Sequence, residues 1–98
     1  MLHFSWDGRK AARNLRDHGV SFPEAATAFG DPLSLTVPDP DHSESEERFL
    51  LLGQSQRNRL LVVVHAERAA HEIRIISARL AAPHERRQYE ESREEEQR

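Results

Sequence analysis

The sequence predicts a small α+β domain with its elements in the order β-α-α-β-β-β-β-α. Two segments near the start carry helix-capping residues, and four short apolar runs separated by turn residues follow them. A charged segment with high helix propensity ends the chain. The close spacing of the apolar runs indicates hairpins. We therefore expect a small curved antiparallel sheet with two N-terminal helices on one face and a C-terminal helix.

The two N-terminal helices are predicted from their capping residues. Asp7 is a suitable N-cap for a helix over residues 8–18, and Gly19 is a suitable residue to end it. Ser21 and Glu24 have the spacing of a capping box, in which the serine caps the helix and the glutamate bonds back to the serine N–H.

Five segments are predicted to form strands: residues 3–6, 33–37, 49–52, 60–65 and 71–79. Pro38 cannot donate a ladder hydrogen bond, so the strand before it should lie at an edge or end early. Asn58 tolerates positive φ and predicts a tight turn. In the last strand, strict alternation would place Ile73, Ile75 and Ser77 on one face.

The final segment, residues 83–98, is helical by propensity but holds almost no apolar side chains. Tyr89 is its single sizeable apolar side chain and is predicted to anchor the helix to the core. Such a helix gains little by packing, so we expect it to fray beyond about residue 91. A single domain over residues 1–91 and a charged tail over 92–98 follow.

The composition limits the possible functions. A net charge of −3 argues against binding nucleic acid by bulk electrostatics, and the absence of cysteine excludes a disulfide framework. The longest apolar run, residues 60–64, is too short to cross a membrane, and no signal-peptide core is visible, so we expect a cytoplasmic protein. All but one of the 14 basic residues are arginines, which favours oxyanion recognition. A biased genome composition would explain this equally well.

The segment over residues 39–48 carries suggestive chemistry at the start of a strand. His42 could act as a base or an acid, Glu47 is a second candidate base, and Arg48 could bind a phosphate. Loops fixed to rigid strands often carry binding and catalysis. A solvated loop with a surface ion pair is the alternative interpretation.

Three further candidates each have a structural alternative. Arg79 ends the last strand, where it could pair with a nearby acid or reach over the sheet edge towards Arg48. Tyr89 could donate a proton, although the anchoring role is favoured. A divalent metal bound by Asp39, Asp41 and His42 is disfavoured because this spacing has no recognised ligand geometry. We expect no metal and no cofactor.

A series of short motifs is spread along residues 4–91. In the order found here, the series resembles the BrnT family of toxins from type II toxin–antitoxin systems. The matching residues are Trp6-Asp7, Lys10, Asn14-Leu15, His18-Gly19-Val20, Phe22, Asp31-Pro32, Asp41-His42-Ser43, Glu47-Arg48-Phe49, Gly53, the strand over residues 60–65, Ile73 to Arg79 and Glu85 to Glu90.

The resemblance implies a RelE-like fold and a metal-independent ribonuclease that blocks translation. It makes a set of side chains candidates for catalysis, in decreasing order Arg48 and Arg79, then His42 and Glu47, then Tyr89. Basic side chains elsewhere are candidates for RNA binding: Lys10, Arg57 and Arg86. The RNA 2′-hydroxyl would attack the phosphate, and arginines would stabilise the developing charge.

The resemblance also implies a cognate antitoxin of the BrnA type, which binds operator DNA and forms a complex with the toxin. Three departures from the family pattern leave an alternative open. Leu80 stands where a basic residue is expected, Pro83-His84 replaces a more basic pair, and residues 90–96 are acidic. A catalytically weak interaction module that acts as co-repressor with its antitoxin is therefore the second hypothesis. A metal-dependent hydrolase is a remote third.

Overall fold

The computed structural model of the chain describes residues 1–39 and 47–96. The described residues form five strands and three α-helices in the predicted order, with one turn of 3-10 helix, Ala28–Gly30, after the second helix. The elements are β1 (His3–Ser5), α1 (Gly8–His18), α2 (Phe22–Thr27), β2 (Leu35–Pro38), β3 (Arg48–Gln54), β4 (Leu60–Glu67), β5 (Glu72–Leu80) and α3 (Pro83–Glu96). The predicted α+β class and element order are confirmed.

The strands form one sheet in the order β1-β5-β4-β3-β2. The four strands from β2 to β5 pair antiparallel with their chain neighbours, as expected from their spacing. β1 instead lies parallel to β5, with Phe4 beside Ile73. The expectation of a purely antiparallel sheet is wrong at this edge, and the sheet is mixed. An apolar pattern does not reveal the direction of a partner strand that lies far away in sequence.

The predicted caps of the two N-terminal helices are present. The Asp7 carboxylate accepts hydrogen bonds from the backbone N–H groups of Arg9 and Lys10, at 2.8 and 3.3 Å. Gly19 ends α1 with a φ of 68°, in the left-handed region that favours glycine. Ser21 caps α2, because its Oγ accepts from the N–H of Glu24 at 3.1 Å.

Glu24 does not complete the predicted capping box. Its carboxylate is only 4% exposed and points away from the helix start. Oε2 accepts from the Ser55 hydroxyl at 2.8 Å and from Arg59 Nε at 2.9 Å, and Oε1 accepts from Arg59 Nη2. These bonds join α2 to the hairpin between β3 and β4, whose turn contains Asn58 at the predicted positive φ of 61°.

Two apolar clusters pack against opposite faces of the sheet. The larger lies under α1, α2 and the 3-10 turn: Val20, Phe22, Ala25, Ala28, Leu51, Leu61, Val63, Ile73, Ile75 and Ala78. The smaller lies under α3: Leu52, Leu60, Val62 and Tyr89. The two N-terminal helices therefore share one face, as predicted, and α3 contacts the other.

A β-bulge changes the alternation of β5. Val64 pairs with Ser77 and the next residue, His65, pairs with Ile75, so Ile76 is an extra residue without a partner in β4. As a result Ile75 and Ala78, rather than Ile75 and Ser77, face the larger cluster. The predicted face assignment is wrong beyond Ile75, because an inserted residue leaves no signature in the apolar pattern.

α3 continues to Glu96, beyond the predicted fraying point near residue 91. The sequence after Tyr89 consists almost entirely of glutamate and arginine, which have high helix propensity. The boundary of the domain at residue 91 stays a prediction. No helix of the described chain is both long enough and apolar enough to span a membrane.

The Asn14 side chain fastens α1 to β5. It is 6% exposed and makes three hydrogen bonds. Nδ2 donates to the carbonyls of Val20 and Ala78, at 2.9 and 2.8 Å, and Oδ1 accepts from the Ala78 N–H at 3.0 Å. β1 pairs with β5 only over Glu72 to Arg74. β1 has already ended at this point, so the Asn14 amide supplies the hydrogen bonds to the Ala78 backbone that a neighbouring strand would otherwise supply.

We expect Asn14→Ala to lower the free energy of unfolding by about 2–4 kcal/mol, since it leaves buried backbone groups of Ala78 unpaired. Urea denaturation followed by circular dichroism measures this. Arg13→Ala, at the exposed neighbouring position, is the control and should change stability by less than about 0.5 kcal/mol. An equal loss in both variants would contradict the role given to Asn14.

The Glu24 network predicts a pH dependence. The hydrogen bonds from Arg59 hold the pKa of Glu24 below its ordinary value of 4.5, although burial opposes this. The folded-state pKa is the lower one, so the stabilisation is complete above pH 4.5 and is lost as the pH falls through the folded-state pKa. Glu24→Gln should therefore be less stable at pH 7 by about 2 kcal/mol, and its stability should vary less below pH 5. Glu90→Gln, on the exposed part of α3, should behave like the unmodified chain in the same urea titrations.

Candidate functional site

The face of the sheet that contacts α3 has three cross-strand rows of side chains that each extend over four strands. The first row holds Leu35, Leu52, Val62 and Arg79, and the second holds Val37, Leu50, Val64 and Ser77. The third row holds Arg48, Ala66, Arg74 and Ser5, and we call it the arginine row. The buried residue Asp39 lies beside Arg48 at the end of this row, where its N–H donates to the Arg48 carbonyl at 2.9 Å. Tyr89 of α3 packs with residues at the first-row end of this face. The arginine row lies at the opposite end.

Backbone pairing fixes the positions within the arginine row. Arg48 pairs with Ala66, Ala66 pairs with Arg74, and Arg74 pairs with Ser5. Neighbouring strands lie about 4.8 Å apart, so the Cα atoms of Arg48 and Arg74 are about 10 Å apart. Between them stands the single methyl group of Ala66. Two long cationic side chains therefore flank a very small one.

The two arginines of this row differ from other partly buried arginines in their partners. Three described arginines are half-buried, namely Arg48, Arg59 and Arg74. Arg59 is paired with Glu24. Within the described part of the chain, neither Arg48 nor Arg74 has a carboxylate oxygen within the 4.0 Å that defines an ion pair.

Unpartnered polar atoms mark both ends of the row. Among the described residues, two buried side-chain atoms lack a hydrogen-bond partner, and they are Arg48 Nε and Ser5 Oγ. Leaving such a group unpaired costs about 1–3 kcal/mol each. Both groups can donate a hydrogen bond, and both lie in the row that also contains the unpaired guanidinium of Arg74. The row is therefore suited to accept an oxyanion.

Arg79 lies in the first row and is bound to α3. Its Nη1 and Nη2 donate to the two carboxylate oxygens of Glu85, at 2.8 and 2.9 Å. The Arg79 guanidinium also holds the pKa of Glu85 below its ordinary value, against the effect of burial. Arg79 pairs with Val62 and Arg48 with Ala66, four residues further along β4. The structure therefore supports the ion-pair interpretation of Arg79 and does not bring it to Arg48.

Tyr89 has the anchoring role favoured by the sequence. It is 4% exposed, and its hydroxyl donates to Oδ2 of Asp31 at 2.6 Å. Burial and the hydrogen bond to Asp31 raise the pKa of Tyr89 to about 12. A phenol that is buried, bound to a carboxylate and weakly acidic is poorly placed to transfer a proton to a substrate.

The other predicted site residues are distributed over several elements. Glu47 lies directly before β3 and is exposed. Lys10 is exposed on α1, where it lines a groove of about 250 Å³ between α1 and β5. Arg57 lies in the turn before β4, with its side chain 72% exposed, and Arg86 is exposed on α3. His42 lies outside the described residues. Lys10 therefore lies on α1, Arg57 in the β3–β4 turn and Arg86 on α3, whereas Arg48 begins β3.

Arg74 and Ser5, the other polar members of the arginine row, were not among the predicted site residues. Arg74 did carry a signal, because a cation between Ile73 and Ile75 interrupts an otherwise apolar strand. Ser5 carried none, since its place in the row depends on the parallel pairing of β1. The described residues contain no group of three or more His, Asp or Glu side chains that could hold a metal ion. Asp41 and His42 of the metal hypothesis lie outside that part of the chain.

Comparisons with known proteins connect this arrangement to a family. A family model described as "Ribonuclease toxin, BrnT, of type II toxin-antitoxin system" matches residues 6–85. The crystal structure of the Brucella abortus ribonuclease toxin BrnT matches with a TM-score of 0.61 and 18% sequence identity, over 84% of this chain and 99% of that chain. At this identity the structural likeness shows the fold alone. A comparison with curated proteins gives no significant match.

The single tyrosine of the chain allows a direct test of the Tyr89–Asp31 bond. We expect the tyrosinate absorbance to titrate near pH 12 in the folded protein and near pH 10 after unfolding. The folded-state pKa is the higher one, so this stabilisation is present below pH 10 and is lost as the pH rises through about 12.

Tyr89→Phe should lower the free energy of unfolding by about 1–2 kcal/mol at neutral pH. It should leave any catalytic activity of the folded protein unchanged. A folded-state titration near pH 10 would show that the hydrogen bond to Asp31 does not form. Loss of activity in a fully folded Tyr89→Phe variant would restore the phenol as a proton donor.

Proposed function

Because the chain belongs to the BrnT family of ribonuclease toxins of type II toxin–antitoxin systems, we propose that it is a metal-independent endoribonuclease. By cleaving RNA it would inhibit translation. The observation that carries this proposal is the family match over residues 6–85, in a chain whose sheet presents Arg48 without a carboxylate partner among the described residues.

The proposed chemistry needs positive charge more than a strong protein nucleophile. When the 2′-hydroxyl of RNA attacks the adjacent phosphate, negative charge develops on the phosphate oxygens. A guanidinium stabilises that charge through two parallel hydrogen bonds and stays protonated at any physiological pH. Arg48 fits this role because it is half-buried at the start of β3 and its Nε has no partner in the described chain.

Proton transfer needs a second group. Glu47 directly precedes Arg48 in the chain and is exposed. It could remove the proton from the attacking hydroxyl. His42 is the other candidate base or acid, as the sequence suggested. Arg79 stays a candidate for a further phosphate contact, provided that RNA displaces Glu85 from its guanidinium.

The family also supports a proposal about the partner. We infer that a BrnA-type antitoxin neutralises the protein and that operator DNA is contacted through this antitoxin.

One observation favours the second candidate function, binding an antitoxin as co-repressor without cleaving RNA. An apolar groove of about 180 Å³ lies between β2, β3, β4 and α3. Val37 in this groove is 51% exposed, and Arg79 beside it is occupied by Glu85. A surface of this kind suits a protein partner better than RNA.

We expect the purified protein to cleave RNA in the presence of EDTA and its expression alone to arrest growth. Arg48→Ala should reduce cleavage about 100-fold, which is typical for the loss of one charge-stabilising donor. Arg87→Ala, an exposed position on α3, is the matched control and should cleave normally.

The outcomes separate the two candidate functions. Undiminished cleavage by Arg48→Ala would remove Arg48 from the site while leaving the activity in place. Absence of cleavage by folded, antitoxin-free protein would overturn the nuclease and favour the co-repressor. Mapping the RNA ends in cells with and without the antitoxin gene would then define the cleavage preference.

A further inference from the structure

Arg48, Arg74 and Ser5 have a property in common that stability does not explain. Two of them hold the buried unpartnered side-chain atoms among the described residues, and the third is a half-buried cation without an ion pair there. All three lie in a single cross-strand row. Buried polar groups normally have partners, so a group of exceptions in one place requires an explanation.

Arg59 is a useful comparison, because it is a half-buried arginine with a structural role. Glu24 binds it through two nitrogens, and Gly19 accepts a third hydrogen bond at 3.0 Å. Among the residues that the structure describes, Arg48 and Arg74 have no such partner. A half-buried charge is unfavourable without a counter-charge, so an anion that binds there would supply the missing partner.

We propose that the arginine row is a binding site for a phosphodiester group, in which Arg48 and Arg74 hold the phosphate from two sides and Ser5 donates a further hydrogen bond. The identity of the ligand as an RNA backbone phosphate rests on the proposed function. The binding of an oxyanion as such does not.

The spacing of the row suits this ligand. The strands place the two arginines about 10 Å apart at their Cα atoms, and each side chain is long enough to lean towards the other above Ala66. A larger residue in place of Ala66 would stand between the two guanidiniums. Ser5 lies one strand beyond Arg74, so its hydroxyl extends the line of donors along the row.

Two described carboxylates lie close to the row. Asp39 is buried beside Arg48, but no ion pair within 4.0 Å joins the two side chains. Asp7 lies near Arg74. The hydrogen bonds from the N–H groups of Lys10 and Arg9 lower the pKa of Asp7, and Arg74 adds a weaker contribution. Asp7 is already engaged as the cap of α1. Within the described residues, a phosphate therefore does not have to break an ion pair to reach Arg74.

The experiment measures binding separately from cleavage. A single-stranded DNA oligonucleotide lacks the 2′-hydroxyl that attacks the phosphate, so it can be bound without being cut. We expect Arg74→Gln to weaken its binding about ten-fold or more in calorimetric titrations, as for the loss of one charge-assisted contact. Inorganic phosphate should shift the amide NMR signals of β1, β3 and β5 near the row, and Arg74→Gln should abolish these shifts.

Matched variants test the geometry. Arg74→Lys keeps the charge without the planar fork and should lose part of the affinity. Ser5→Ala should weaken binding by a few-fold, roughly the effect of one neutral hydrogen bond. Arg87→Gln and Ser92→Ala, both on α3, should bind within about two-fold of the unmodified chain, because their side chains lie outside the row.

Stability is the independent readout. If the row is kept for a ligand, Arg74→Gln should leave the melting temperature unchanged or raise it. A large decrease in melting temperature, with DNA affinity unchanged after correction for the folded fraction, would show a structural role and overturn the inference. Normal DNA and phosphate binding by folded Arg74→Gln and Ser5→Ala would also overturn it.

The proposed nuclease function fails separately. If the unmodified protein cleaves no RNA yet binds phosphate and DNA through Arg74, the proposed binding site is supported and the proposed nuclease activity is overturned. If the unmodified protein cleaves RNA while Arg74→Gln binds and cleaves normally, the proposed nuclease activity is supported and the proposed binding site is overturned.

Discussion

The carboxylate of Asp31 joins the segment after α2, the end of β3 and the C-terminal helix α3. The position of α3 on the sheet depends on it. Oδ1 accepts from the N–H of Leu33 at 2.9 Å, and Oδ2 accepts from the N–H of Gln54 at 2.8 Å and from the Tyr89 hydroxyl at 2.6 Å. Burial alone would raise the pKa of Asp31, but these hydrogen bonds hold it below its ordinary value. One charged group thus joins the end of the helical layer, the end of β3 and the C-terminal helix. Without it, α3 would keep the packing of Tyr89 and the Arg79–Glu85 ion pair, but it would lose its hydrogen bond to the helical layer.

The placement of α3 determines which part of the sheet can serve as a site. The helix lies where Leu52 and Val62 meet Tyr89, at one end of its face. The arginine row is at the other end of that face, away from this contact. The opposite face is packed under α1 and α2, where Asn14 and Glu24 fix the helices to β5 and to the hairpin. We therefore place the proposed phosphate site at the end of this face that carries the arginine row, away from the contact with α3.

Sequence reasoning succeeded where a signal lies within a few residues. Asp7, Gly19 and Ser21 act as caps because each satisfies the backbone of its own helix, and Asn58 turns the chain with its own φ. It was wrong for Glu24, whose spacing from Ser21 predicted a local bond. Arg59, 35 residues away, competes more strongly for that carboxylate because it offers a charge and two donors in a buried setting. Arg79 is a second such case. The sequence allowed either an ion pair or a catalytic role for it, and only the position of Glu85 in the folded chain decides between the two.

The sequence by itself determined the α+β class, the order of the elements and, through motifs spread over most of the chain, the family. These follow from local periodicity, capping and the residue series, all of which can be found along the chain without knowing its path. Only the tertiary structure decided that β1 is parallel to β5, that Ile76 bulges and that Ser5, Arg74 and Arg48 share a row. Each of these depends on which strands meet. Burial and the pairing of distant segments select that partner, and no short stretch of sequence encodes it.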